Sequence, residues 1–198
     1  DITSSTSAPI YVKAASKIVI SLEEGTENVL TDAKEYVLEE GSDEPDAAIF
    51  SKDDLTFNGT GSLIVNANYG DGITSKDQLK IMEGNITVNA ADDGIKGKDM
   101  VAIKDGSLTI EAKKDGIKST NSKDTEKGFI YTENGDFNII AGGDGLQAES
   151  NLDIVNGQFN ITTGGGSVNG RTHTEAFAMR GGMGNGPKVP QDGKGVPP

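Results

Sequence analysis

Aspartate is the residue whose type and spacing in this chain suggest chemistry. Asp71, Asp93, Asp115 and Asp144 each precede a glycine and an aliphatic residue, at intervals of 22, 22 and 29 residues. Asp77 and Asp99 follow two of them by six residues, Asp53 is their counterpart upstream, and Asp92 adds a carboxylate beside Asp93. Where equivalent positions stack, these become ladders of like charge with rungs about 5 Å apart. Like charges facing each other on neighbouring strands are destabilising, so such a ladder must hold protons at raised pKa or take cations between its rungs. Calcium bonds six to eight oxygens at about 2.3–2.6 Å, so one ion between rungs reaches both carboxylates while corner carbonyls near Gly72 or Gly94 complete its shell. Magnesium, bound to tight octahedral geometry and its own waters, suits the spacing less. Calcium is the expected cofactor. A purely architectural ladder stays open beside it: Asp-Gly suits corners because Asp bonds its own backbone and Gly permits positive φ.

Lysines recur in step with the aspartates. Ile73, Ile95 and Ile117 are expected to point inward, which turns Thr74, Lys96 and Lys118 outward, with Lys76 and Lys98 two residues on. A cationic strip beside carboxylates suits carboxylated sugars, with calcium bridging uronate to aspartate and lysine meeting a second oxygen. The alternative is a solvated face whose lysines balance charge and deter edge pairing. Tyr69, just before Asp71, and Tyr131 could stack on a sugar ring or simply cap a corner. His173 is the single histidine and lies outside the repeat, which argues against a histidine triad or a zinc site.

The elements that position these residues follow from the repeat itself. Two residues beyond each aspartate stand Ile73, Ile95, Ile117 and Leu146; Gly84, Gly106, Gly135 and Gly157 mark a later shared corner. The 29-residue copy falls into line if Ser122 to Gly128 bulges out. A fixed period of this kind marks a repeat architecture. Within one copy, residues 72–75, 78–81 and 85–90 alternate apolar and polar, the period of strands with one buried face. Three strands and three corners in about 22 residues predict one coil of an all-β parallel helix, stacked on the next at about 4.8 Å. No copy leaves room for the helix of a leucine-rich repeat, and the glycine period does not fit calcium-binding nonapeptides. A weaker copy starts at Asp46, with Leu55, Phe57, Leu63 and Val65 inward; residues 10–12 and 18–22 read as earlier strands. Phe57, Phe137 and Phe159 are expected in a core stack. Thr31 to Pro45 reads as an acidic excursion. The predicted organisation is a single domain over residues 1–180, regular from 46 to 165, followed by a Gly/Pro-rich tail at 181–198.

Charge and composition narrow the function. The net charge is −13, with 10 acids and 3 bases in residues 1–45 and 19 acids and 11 bases in residues 46–165. This repels nucleic acid and anionic membranes and favours divalent cations. The absence of cysteine excludes disulfides and thiolate metal sites. No apolar run of 18 residues is present, so no membrane-spanning helix and no membrane insertion are expected. The first residues show no signal-peptide pattern, and the expected location is extracellular or cell-surface, any signal having been removed.

The in-phase Asp-Gly-Ile repeats, residues 8–12 (Ala-Pro-Ile-Tyr-Val) and residues 26–32 (Thr-Glu-Asn-Val-Leu-Thr-Asp) resemble a bacterial family of carbohydrate-binding domain-containing proteins over residues 8–165. The resemblance implies a right-handed parallel β-helix similar to polysaccharide lyases, bound calcium, and recognition of acidic plant polysaccharide (polygalacturonate, pectin), with cellulose a further candidate. The functional expectation is a non-catalytic calcium-binding carbohydrate-binding protein. Metal ligands would come from Asp71, Asp77, Asp92, Asp93, Asp99, Asp115 and Asp144, and ligand contacts from Lys76, Lys96, Lys98, Lys118 and Tyr69. Two alternatives stand beside it. One is a calcium-dependent pectate lyase using Lys96 or Lys118 as base, and the other a surface adhesin or scaffold without a sugar ligand.

Overall fold

The computed structural model describes residues 1–164, which form 19 strands in three parallel sheets. The end of the predicted domain, the Gly/Pro-rich tail and His173 lie outside the described residues. The first sheet has seven strands, from Ile2–Thr3 and Glu27–Thr31 through Ser62–Ala67, Asn85–Ala90, Ser107–Ala112 and Asp136–Ala141 to Gln158–Thr163. The second has six, among them Ala47–Ser51, Asp71–Ser75, Ile95–Gly97 and Ile117–Ser119; the third also has six, among them Gln78–Ile81, Met100–Ile103 and Phe129–Thr132. Each circuit of the chain visits the second, third and first sheet in turn. The result is the all-β parallel helix that the 22-residue period predicts.

Register follows the sequence repeat residue for residue. Ile73 pairs with Ile95, Ile95 with Ile117, and Ile117 with Leu146. Because side chains alternate faces along a strand, this register sends the same column of every coil inward. Ile73, Ile95, Ile117, Leu79, Val101, Ile130, Val88, Ile110 and Ile139 are all fully buried. Phe137 and Phe159 stack with ring centroids 4.3 Å apart, whereas Phe57 is buried in the third sheet beside Ile20 and Ile81. The inserted loop falls at residues 121–127, one residue earlier than expected, because the Gly128 N–H rejoins the ladder by donating to the Asp99 carbonyl.

Two kinds of glycine serve the coil differently. Gly84, Gly106, Gly135 and Gly157 have φ between 121° and 128°, a region closed to most side chains. The Asp-Gly glycines do not adopt positive φ, which corrects the turn-chemistry expectation. A Cβ on Gly94 would sit 2.5 Å from both the Gly116 carbonyl oxygen and an Ile110 methyl, and Gly72 and Gly116 are equally enclosed. These glycines are needed for close approach between coils.

The excursion after Thr31 folds over the outer face of the second sheet at the N-terminal end. Both faces of Ala47–Ser51 and Asp71–Ser75 are buried as a result. Buried Asp32 fastens its base, accepting from the Tyr36 hydroxyl at 2.7 Å and from the Asn68 N–H. Tyr36 stacks on Tyr69 at 4.1 Å, and Lys52 meets Glu44 at 2.7 Å.

Gly94→Ala is expected to cost about 1–3 kcal/mol through overpacking against the backbone of the next coil. Urea denaturation of the folded protein checks this; an unchanged midpoint would show that the coils can spread to admit a methyl group.

Candidate functional site

The repeat corner leading into the second sheet brings Asp71, Asp93 and Asp115 into one column, at 1%, 5% and 8% exposure. One carboxylate oxygen of each rung accepts the backbone N–H of the next. Asp93 N–H donates to Asp71 Oδ1 at 3.0 Å, Asp115 N–H to Asp93 Oδ1 at 3.1 Å, and Asp144 N–H to Asp115 Oδ1 at 2.8 Å. Asp144 closes the column and is exposed. The ladder expected from the sequence exists, but half its oxygens are engaged by the main chain. The corner carbonyls expected to complete an ion's shell are also engaged: the Gly94 oxygen accepts Ile73 N–H at 3.0 Å and the Gly116 oxygen accepts Ile95 N–H at 2.9 Å.

The second oxygen of each rung faces a lysine. Register places Thr74, Lys96, Lys118 and Gln147 in one outward file. Thr74 hydroxyl donates to Asp71 Oδ2 at 3.0 Å. Lys96 bonds Asp71 Oδ2 and stands 3.9 Å from Asp93 Oδ2 and 3.8 Å from Asp46 Oδ2. Lys118 bonds Asp115 Oδ2 at 2.6 Å and stands 3.8 Å from Asp93 Oδ2. Lys96 and Lys118 are therefore counter-ions within the ladder, not a free cationic strip beside it. Their stems are long enough to fold back across the 3-residue step to their own coil's aspartate, a reach that residue spacing alone does not reveal. Lys76 lies against Glu44 and over the Phe50 ring, and Lys114 meets Asp92 at 2.7 Å. Lys98 is exposed and belongs to none of the ion pairs among the described residues.

Burial dominates the electrostatics of the column. It pushes the Asp71 carboxyl above its ordinary value despite the charge and hydrogen bond of Lys96. Burial also raises Asp93, with the Asp71 charge adding to it against the Asp115 N–H and two lysines. At Asp115 burial acts the same way, but the Lys118 hydrogen bond and the Asp144 N–H outweigh it and lower the pKa. The ammonium groups are held charged: burial works against Lys96, yet Asp71 prevails and raises it, and Asp115 and Asp93 do the same for Lys118.

Three carboxylates fit a divalent cation in part. One oxygen each of Asp71, Asp92 and Asp93 lies within 4.8 Å of the others. A buried oxygen of neighbouring Asp46, Oδ1, has no hydrogen-bond partner. Lys96 occupies the place between Asp71 and Asp93, so an ion enters only as that ammonium leaves. With Lys96 displaced, Asp71, Asp92, Asp93 and Asp46 are the residues that would hold calcium.

The shorter aspartate column is divided among other partners. Asp53 Oδ2 accepts Ala15 N–H at 2.7 Å. Asp99 is buried under the inserted loop, bonded by Lys127 at 2.6 Å and Asn121 at 2.7 Å. Although burial opposes it, these bonds hold its pKa down at about 2. A hydrogen bond shared with Asp99 raises Asp77. Tyr69, 39% exposed, stacks on Tyr36 as a cap to the excursion, and Tyr131 lies half-buried in the third sheet. Asp46, Asp32 and Lys114 were not singled out by spacing; Lys114 carries the signal of standing 22 residues after Asp92.

The chain matches the carbohydrate-binding domain-containing protein family over residues 1–191. It belongs to that family. A curated carbohydrate-binding domain-containing protein from Acetivibrio thermocellus is 52% identical over 91 residues, covering 46% of this chain. The aligned stretch spans 32% of that relative's length. Among solved structures, a polysaccharide lyase-like protein from C. thermocellum, in a gadolinium derivative, superposes with a TM-score of 0.72 at 37% identity, covering 79% of this chain and 74% of its own. This family member therefore has a polysaccharide lyase-like β-helix.

Opposite shifts along the columns give opposite pH dependences. Asp71 and Asp93 bind protons more readily folded than unfolded, so their contribution to stability grows as pH falls through their raised pKa values. Asp99 has the reverse sign: its contribution is present above 3.8 and lost as pH falls toward about 2. Asp99→Asn is expected to lower the urea midpoint at neutral pH, and its gap from the parent protein should close across that acid window. A gap that persists at the acid end would remove the Lys127–Asp99 pair as its source.

Proposed function

We propose that the chain is an extracellular, non-catalytic carbohydrate-binding β-helix that takes calcium at its aspartate corner and holds acidic polysaccharide such as polygalacturonate. Family membership supports a carbohydrate ligand. The geometric observation that carries binding over lyase chemistry is the state of Lys96 and Lys118. A β-elimination base must be neutral to take the proton α to the carboxylate. Both candidate bases are bonded to carboxylates that keep them as ammonium.

Depth decides which rungs can meet a sugar. Asp71 and Asp93 are buried, so an ion there is structural, whereas Asp92, Asp144 and Lys98 are accessible to a polymer passing the corner. Calcium supplies charge between a uronate and such an aspartate; the lysine supplies an ammonium to the polymer. Uronate polymers of plant walls lie outside cells, which places this reading outside as well.

Calcium that binds only the folded chain stabilises it by about 2.7 kcal/mol at a hundredfold excess over its dissociation constant. Chelator should therefore lower the melting temperature and calcium restore it. In Lys96→Ala the chelated protein should melt lower than the parent, and its gain on adding calcium should be larger, because the competing ammonium is gone. Identical melting curves with and without calcium, in protein shown metal-free, would refute the calcium assignment.

Retention on immobilised polygalacturonate tests the ligand, and ultraviolet absorbance tests the chemistry. The protein should be retained, less so with Asp144→Asn, while soluble polygalacturonate develops no absorbance from an unsaturated uronide. A steady rise that vanishes in Lys118→Ala would replace the binder with a lyase.

A further inference from the structure

A different face of the solenoid carries a second recognition chemistry. None of the seven strands of the first sheet contains Lys or Arg. Along its outer face, register stacks Ile64, Thr87, Thr109, Asn138 and Asn160 into one uncharged column. Exposed Glu111 and Asp136 flank that column on either side. A polyuronate laid here would meet like charge and no cation on any strand; an uncharged polymer would not.

The side chains that remain are donors and acceptors together, as are sugar hydroxyls. Asn89 donates to Asn66 Oδ1 at 3.0 Å, and Asn66 to the Thr31 hydroxyl at 3.2 Å. Further along, Asn160 donates to Asn138 Oδ1 at 2.9 Å. These bonds fix the direction of each amide while leaving one N–H of Asn89 and of Asn160 facing solvent. Oriented amides lose less freedom on binding than free ones.

The surface is also shaped. A depression of about 580 Å³ is lined by Asn66, Asn68, Asn89 and Glu111, with Lys113 at its rim. Another of about 280 Å³ is lined by Thr109, Asn138 and Asn160. The two lie one after the other along the solenoid axis, where every second strand repeats the surface at about 10 Å, the scale of a disaccharide. Ile140, 50% exposed, offers methyl groups to the C–H faces of sugar rings.

We propose that this outer face is a binding track for an uncharged, extended polysaccharide, running along the axis over Asn89, Thr109 and Asn138 and separate from the aspartate corner. The proposal rests on the carbohydrate reading above and adds the ligand class and the place. The outer positions of these strands hold no aromatic ring, so each sugar is held weakly and retention grows with the number of coils engaged.

The test uses the parent protein and two variants on insoluble cellulose, cello-oligosaccharide and immobilised polygalacturonate. Asn89→Ala combined with Asn138→Ala should reduce retention on cellulose by about fivefold or more, each lost bond accounting for part. Thr109→Tyr, a strand-favouring change that supplies a ring, should increase it. Neither should alter retention on polygalacturonate or the far-ultraviolet circular dichroism. Titrating labelled parent protein with cellohexaose should shift the amide resonances of Thr87 and Thr109 and leave Lys96 in place. Normal cellulose retention by the double variant, or shifts centred on the second sheet, would overturn the track. Binding to polygalacturonate without any to cellulose would overturn the track alone, and binding to neither would overturn the carbohydrate reading with it.

Discussion

In a stack of near-identical coils each side chain has copies of itself as neighbours, about 4.8 Å away on either side. Apolar columns gain from this arrangement and carboxylate columns suffer. The structure resolves the conflict by dividing the two oxygens of each aspartate. One oxygen takes the backbone N–H of the following rung, and the other takes an ammonium group. The main-chain bond ties every aspartate to the coil after it, so charge compensation and coil-to-coil register depend on the same side chain. The glycine that follows lets the coils close to a distance at which those bonds can form.

Lys96 and Lys118 take their functional meaning from this arrangement. A lysine displayed on a sheet is a ligand group, whereas one folded into a carboxylate column is a counter-ion that metal must displace. The same contacts that keep these ammonium groups charged make them poor bases, so structural compensation and absence of proton abstraction share one cause. The excursion from Thr31 to Pro45 then separates the ends of the column. It buries Asp71 completely and leaves Asp144 exposed, so equivalent residues of the repeat have different access to solvent.

The three sheets of one scaffold consequently present different surfaces. The second offers a compensated carboxylate corner, and the first an amide and hydroxyl face without cations. Such division is natural to a solenoid, in which each strand of the coil repeats its own outward residue types and builds a continuous chemical stripe.

The period of 22 residues was enough to determine the coil, its three strands and the inward set from Ile73 to Ile139, because alternation and stacking leave a single register that buries every aliphatic. The aspartate ladder was legible for the same reason: equivalent positions must stack. What the lysines do was not, since a four-carbon stem can turn to solvent or back to its own corner, and only the packed neighbours decide which. Nor could the sequence show that Gly94 is required for closeness and not for turning, that Asp99 would be enclosed by a loop inserted one coil later, or that Thr31–Pro45 would cover one end of the ladder. Each of these depends on contacts between segments that no local spacing relates. The repeat therefore determined the columns, and the tertiary structure decided which of their members are paired, buried or open to a ligand.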